Sequence, residues 1–124
     1  MRVLIVDGAN VVGSRADGWW RDRAGAAHRL HERLVAAGLG YDEVVLVLEG
    51  AARAGQPIGE QQRVRTVHAP QSGDDAIVDE VRSYRRADAA EHEVTLVTAD
   101  RVLRGRVAAL GATSVSPSGL LDQL

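Results

Sequence analysis

The chain has 124 residues, of which 45% are hydrophobic and 26% charged, a composition that excludes a disordered or fibrous protein and suits one packed domain. Its 15 basic residues are outnumbered by 17 acidic ones for a formal net charge of −2, so no overall positive charge draws it onto nucleic acid, although a local basic surface remains open. The absence of cysteine excludes disulfides, thiolate metal sites and thiol nucleophiles, so any metal ion would be held by oxygen or imidazole.

The first predicted element is a strand over Val3–Val6, which Asp7 follows directly. This carboxylate interrupts the apolar run too early for a signal peptide, and no window of the sequence reaches the ~18 apolar residues of a membrane helix. We therefore expect a cytoplasmic protein that does not contact a membrane.

Apolar runs and amphipathic stretches alternate along the rest of the chain. The runs predict strands over Val44–Leu48, Val64–Val67 and Val94–Val97, and a last edge strand at Thr113–Val115 that Pro117 ends. Three- and four-residue spacing of apolar side chains predicts helices from Trp20 to Gly38, from Asp74 to Ala89 and over Arg101–Leu110. The stretch Gly50–Gln62 is expected to be a loop with at most one helical turn.

This order of elements predicts the fold class. Strands separated by helical crossovers form right-handed βαβ units, so we predict a three-layer α/β/α sandwich around a mainly parallel sheet of about five strands. Residues 1–124 are expected to form a single domain. In open sheets of this kind, ligands bind beyond the carboxyl ends of the strands, and the residues there therefore indicate function.

Acidic residues occupy these strand ends. Asp7, Glu49 and Asp100 follow predicted strands, and Asp74 and Asp75 open the second predicted helix. Each acid alone is an ordinary helix cap, but several together repel one another unless a cation neutralises them. Mg²⁺ or Mn²⁺ is the natural cation, because both prefer carboxylate oxygens and can activate water for phosphodiester hydrolysis.

Asp79 is a further candidate ligand, four residues after Asp75 and therefore about 40° from it around a helix axis. The alternative is a solvated residue that pairs with Arg82 or Arg86. Asp75 is the stronger candidate of the two, since a first-turn acid also gains from the helix dipole.

Three motifs together resemble the NYN domain, a branch of the PIN-like nucleases. They are Val3–Asn10, Ser72–Asp79 and Leu96–Asp100, in the order and spacing of that family and across essentially the whole chain. The resemblance implies a PIN-like fold and a magnesium- or manganese-dependent ribonuclease site, with catalytic acids at Asp7, Asp75 and Asp100.

The same resemblance assigns roles to the remaining residues of the motifs. Asn10 corresponds to an asparagine that orders the first loop or contacts the substrate. Glu49 stands where many relatives carry Asp, and its longer side chain would reach the metal through water. Asp74 is the alternative to Asp75 at the head of the helix.

Other side chains near the strand ends are candidates for substrate binding. Arg15 and Arg53, with Arg21 and Arg23, lie in the two loops nearest the site and suit phosphate contacts. Trp19 either stacks on a base or is half exposed beside Trp20, which would begin the helix core. The remaining candidates are Asn10 and Thr98.

His28 and His31 have the i, i+3 spacing of a metal-binding pair, but the charged residues around them favour a solvated helix face.

The most specific interpretation is a metal-dependent ribonuclease whose partner is single-stranded or structured RNA. The alternative is a catalytically silent module of the same fold that binds RNA or another partner. A phosphoacceptor receiver domain is disfavoured because it needs a lysine and this chain has none, and the absence of a P-loop or GxGxxG motif argues against a nucleotide cofactor. The sequence leaves the oligomeric state open.

Overall fold

The computed structural model describes residues 1–88 and 92–124 and is built on one six-stranded sheet. In the order in which they lie in the sheet, the strands are β3 (Gly59–Gln61), β4 (Val64–His68), β2 (Glu43–Leu48), β1 (Arg2–Asp7), β5 (Glu93–Val97) and β6 (Thr113–Val115). All neighbouring strands run parallel except β3 and β4, which are antiparallel. The mainly parallel sheet is confirmed.

The sheet has one strand more than predicted, because β3 pairs with β4 inside the stretch expected to be a loop. The two strands are joined by the two-residue turn Gln62-Arg63, in which Gln62 has a φ of 55°. Glutamine is an unusual residue at a left-handed position, so nothing in the sequence of this turn announces a hairpin.

Five α-helices and two short 3₁₀ turns connect the described strands. The helices are α1 (Gly8–Gly13), α2 (Arg23–Ala36), α3 (Gly73–Asp88), α4 (Arg101–Ala108) and α5 (Pro117–Leu121), and the 3₁₀ turns are Trp19–Arg21 and Gly50–Gly55. The predicted end of the second long helix, Ala89, lies outside the described residues. Neither α1 nor α5 was expected, and Pro117 begins α5 besides ending the last strand. None of the described helices is long and apolar enough to cross a membrane.

The start of α2 differs from the prediction. The Asp22 carboxylate accepts a hydrogen bond from the Gly25 amide at 2.8 Å, which caps the helix and fixes its first residue at Arg23. Trp20 therefore precedes the helix and is 53% exposed, so the expectation that it begins the helix core was wrong.

Each face of the sheet has its own hydrophobic core. On one face, strand residues such as Val3 and Ile5 pack with Ile77 of α3 and Leu103 of α4. On the other face, alternate strand residues including Leu4 and Val6 pack with α1, α2 and α5. Helices thus cover both faces, which confirms the three-layer α/β/α architecture.

His31 belongs to this second helical layer and is only 2% exposed, so the expectation of a solvated face was wrong for it. Burial lowers its pKa, and the nearby His28 lowers it further. His28 itself is exposed and pairs with Glu32 at 3.1 Å. The two histidines therefore do not form a metal-binding pair.

Two features of the sheet position the site. Side chains alternate between the two faces of a sheet. By this alternation Asp7, Glu49 and Thr98 belong to the same face as the strand residues that pack against α3 and α4. From β1 the chain continues to β2 on one side, whereas β5 lies on the other side and continues outward to β6. The carboxyl ends of β1 and β5 therefore meet at a topological switch point, where open α/β sheets bind ligands.

Candidate active site at the carboxyl edge of the sheet

Asp7 is a buried carboxyl group at the end of β1, with 7% of its surface exposed. Its Oδ1 accepts a hydrogen bond from the Asn10 amide at 3.3 Å, and its Oδ2 accepts one from the Thr98 hydroxyl at 3.0 Å. Burial raises the pKa of Asp7; the two hydrogen bonds oppose this effect, and the charges of Asp74 and Glu49 add to it. Asp7 is thus fixed in place and close to other acids.

Thr98 and Asn10 join the ends of β1 and β5. The fully buried Thr98 hydroxyl donates to Asp7 and accepts from the Asp100 amide at 3.2 Å. The Asn10 side-chain oxygen accepts from the Ala99 amide at 2.7 Å. These bonds hold the two acid-bearing segments in a fixed relation.

Asp100 is the N-cap of α4. Its Oδ1 accepts from the amides of Val102 and Leu103 at 2.9 and 3.1 Å. Only this one oxygen is engaged within the described part of the chain, and the charge of Asp100 raises the pKa of Asp74.

The two acids at the head of α3 have different surroundings. Asp74 is half-buried, and its pKa is raised first by burial and then by the charges of Asp100 and Glu49. The Asp75 side chain is 80% exposed and pairs with Arg106 of α4 at 3.2 Å. The structure therefore favours Asp74 over Asp75 as the acid that faces the others.

Glu49 connects the end of β2 to α3. Its Oε2 accepts from the Gly73 amide at 2.8 Å, the first backbone N–H of the helix. A carboxylate at this position is stabilised by the helix dipole. The charge of Glu49 also raises the pKa of both Asp7 and Asp74, which places it with the other acids.

Four carboxylates therefore act on one another at this edge of the sheet: Asp7, Glu49, Asp74 and Asp100. Carboxylate oxygens without thiolates form a donor set that suits Mg²⁺ or Mn²⁺. Among the residues that the structure describes, however, no three His, Asp or Glu side chains lie close enough to hold one ion together. The donor chemistry fits a hard divalent ion, whereas the side chains are not gathered around one.

Two predicted site residues lie elsewhere. The Asp79 side chain is 76% exposed and faces Arg82 at 3.9 Å, because five residues of helix turn it about 140° away from Asp74. Arg15 pairs with Asp122 at 3.6 Å beside α2 and α5, on the side of the sheet away from α3. The predictions of a metal-ligand role for Asp79 and of a phosphate contact for Arg15 are corrected accordingly.

Arg53 lies in the 3₁₀ turn that directly follows Glu49, and Trp19 lies near the same turn. The Arg53 guanidinium donates to the carbonyl oxygens of Gly50 at 3.1 Å and Ala69 at 3.5 Å, across the loops that follow β2 and β4. Trp19 is half-buried and lines a cavity that Glu49 also borders.

Two further residues at this edge were not predicted from the sequence. Arg106 stands in the last turn of α4, and nothing in the sequence linked it to the acids whose charge it offsets. Gly8 follows Asp7, and a Cβ there would lie 2.6 Å from the Val47 carbonyl oxygen, so only glycine fits. A glycine directly after a strand-end acid was the signal available for Gly8.

No protein-family model matches the sequence, and no curated protein matches it. The chain is similar to two solved structures of Rae1 (YacP) from Bacillus subtilis, one of which is a single-residue mutant. Both share 18% sequence identity over 98% of this chain, with TM-scores of 0.77 and 0.73 over 74% and 72% of the Rae1 chains. At this identity the likeness shows the fold alone, and it confirms the predicted α/β fold class with a mainly parallel sheet.

Proposed function

We propose that the chain is a divalent-metal-dependent ribonuclease whose site is formed by Asp7, Asp74 and Asp100, with Glu49 beside them. The observation that supports this most is the burial of Asp7 against the charges of Asp74 and Glu49 at the switch point of the sheet. A fold gains nothing from such repulsion, but a bound cation relieves it. The PIN-like fold agrees with the NYN-like motifs that contain these acids.

A divalent ion bound by these acids would supply an activated water molecule and neutralise charge on the phosphoryl group. Two side chains fix the segments that bear these acids. The Thr98 hydroxyl fixes the orientation of the Asp7 carboxylate. The Asn10 side chain, in α1, accepts a hydrogen bond from Ala99 and so holds α1 against the segment that contains Asp100. Burial keeps Asp7 out of bulk solvent, where its charge would be screened.

The second candidate function is a silent RNA-binding module. It is favoured by the structural roles of the acids, because Asp7 and Asp100 both cap helices and no three described acids are gathered around one point. The two candidates differ in whether RNA is cut.

The test is cleavage of a single-stranded RNA by the wild type and Asp7→Asn, in Mn²⁺, in Mg²⁺ and in EDTA. Asn retains the shape of Asp and caps helices about as well, but it removes the charge that a metal needs. We expect cleavage by the wild type in metal only, and none by the variant. RNA binding by the wild type without cleavage in either metal would support the silent module instead.

A further inference from the structure

A cavity of about 300 Å³ lies beside the acids, on the α2 side of Glu49. Its inner walls are apolar and buried, formed by Gly8, Ala27 and Leu48. Its volume is at the lower end of the range for small-ligand pockets, ~300–1,000 Å³. The cavity therefore suits one small group that can contact apolar inner walls.

Trp19 and Arg23 form the outer wall of this cavity. The Trp19 ring is half-buried, and the Arg23 guanidinium lies 5.0 Å from the ring centre. An indole offers a stacking surface to any nucleobase, and a guanidinium pairs with phosphate. Aromatic surface and positive charge thus stand together at one opening, which matches the two parts of a nucleotide.

The cavity lies beside the proposed active site and shares Glu49 with it. Gly8, in its wall, is the residue after Asp7, and Glu49 borders both the cavity and the head of α3. A base held in the cavity would bring its phosphate to the Glu49 side of the acids. Resting on the function proposed above, we infer that this cavity binds one unpaired nucleobase of single-stranded RNA, adjacent to the phosphodiester that is cut.

Single-strand specificity follows from this geometry. A base that enters a cavity walled by Trp19 has left its stack and its pairing partner, which costs least in a single strand. A duplex presents only its backbone and groove edges and leaves the cavity unfilled.

The test is the affinity of a fluorescein-labelled ten-nucleotide single-stranded RNA, measured by anisotropy in EDTA so that no cleavage occurs. Ala52→Leu fills the cavity, and Ala54→Leu is its matched control on the exposed side of the same 3₁₀ turn. Trp19→Leu has Trp20→Leu as its control, because Trp20 is exposed and does not line the cavity. Melting temperatures show whether each variant folds. If Ala52→Leu does not fold, the comparison of Trp19→Leu with Trp20→Leu still decides the test.

We expect Ala52→Leu and Trp19→Leu to weaken RNA binding about tenfold or more, and both controls to stay within about twofold of wild type. In Trp20→Leu the remaining tryptophan, Trp19, should be quenched by the single strand and not by a duplex of the same sequence. Equal affinities within each matched pair, or equal quenching by the duplex, would overturn the assignment.

The base site and the ribonuclease activity are tested by different variants. Loss of cleavage in Asp7→Asn with no difference within the cavity pairs removes only the base site. Undiminished cleavage in Asp7→Asn removes the proposed function, whatever the anisotropy measurements give.

Discussion

At the residue scale, the buried carboxyl group of Asp7 combines two roles. Its oxygens accept hydrogen bonds from Asn10 and Thr98, and these bonds join parts of the fold. Its negative charge, in contrast, is disfavoured by burial and by the neighbouring acids. Asn in its place would retain one acceptor oxygen and lose the charge. The structural and the electrostatic roles can therefore be separated by varying pH.

The pKa of Asp7 is raised above its ordinary value of 3.8 in the folded state. The stability that Asp7 contributes is therefore full below that value and is lost as pH rises through the folded pKa. Asp7→Asn has no such dependence. We expect the melting temperature of the variant minus that of metal-free wild type to be larger at about pH 7 than at about pH 4. A difference that does not change with pH would mean that the Asp7 charge costs the fold nothing.

Asp74 and Asp75 provide a matched pair of substitutions. Asp74→Asn should lower kcat/KM for RNA in Mn²⁺ by more than about 100-fold, since even outer-shell partners of a metal typically cost 10–100-fold. Asp75→Asn removes only an exposed pair with Arg106 and should cost about fivefold or less. A larger loss of kcat/KM in Asp75→Asn than in Asp74→Asn would indicate that Asp75 is the metal ligand.

The sequence predicted which acids stand at the strand ends, but it did not distinguish Asp74 from Asp75. Adjacent residues on a helix differ by about 100° in direction, so the start of the helix decides which of them points at the site. At that start the Ser72 hydroxyl accepts a hydrogen bond from the Asp74 amide at 3.2 Å, and the Glu49 carboxylate, 24 residues away in the chain, accepts one from the Gly73 amide. The Ser72 cap is a local signal, whereas the Glu49 contact joins distant segments. A contact of this kind leaves no local pattern.

At the element scale, the long helices were predictable and the short elements were not. The 14 residues of α2 and 16 of α3 contain enough turns to show apolar periodicity. The six-residue α1 and the five-residue α5 are too short to show this periodicity. Their N-cap residues, Asp7 and Ser116, make their capping hydrogen bonds in the folded chain. Elements this short are stabilised by packing against the sheet rather than by their own propensity.

The start of α1 offers a direct test of packing. A Cβ at Gly8 would lie 2.6 Å from the Val47 carbonyl oxygen and 2.9 Å from Leu48 Cδ2, so Gly8→Ala should destabilise the protein by about 1–3 kcal/mol. Gly105, inside α4, has nothing within 4 Å of the same position, and Gly105→Ala should stabilise by about 0.5–1 kcal/mol. Urea unfolding measures both changes, and equal effects would show that β2 does not approach α1 this closely.

At the scale of the whole molecule, the sheet order explains why acids distant in sequence meet. Parallel pairing of β1 with β2 and with β5 aligns the strand ends that bear Asp7, Glu49 and Asp100. The continuous apolar runs predicted these buried strands, and the strand order then follows from how they pair. The cavity beside Glu49 was not predictable, because segments from α1, α2, the end of β2 and three connecting loops form its walls.

A metal ion that binds only the folded state should raise the stability of the whole molecule. At a Mn²⁺ concentration of about 100 times Kd, the gain is about 2.7 kcal/mol, or several degrees in melting temperature. Asp7→Asn should show no such increase. Equal metal-induced shifts in the two proteins would place the ion at another site.

The proposed activity is the cleavage of RNA by the acids around Asp7 with a divalent ion. Its most direct test is the initial rate of cleavage of one single-stranded RNA as a function of Mn²⁺ concentration, for wild type, Asp7→Asn and Asp79→Asn. Asp79 is the matched control because it is an exposed acid on α3, turned away from the site. We expect a saturable rise in rate for wild type and Asp79→Asn and no cleavage by Asp7→Asn. Cleavage by Asp7→Asn at the wild-type rate, or a wild-type rate independent of Mn²⁺, would contradict it.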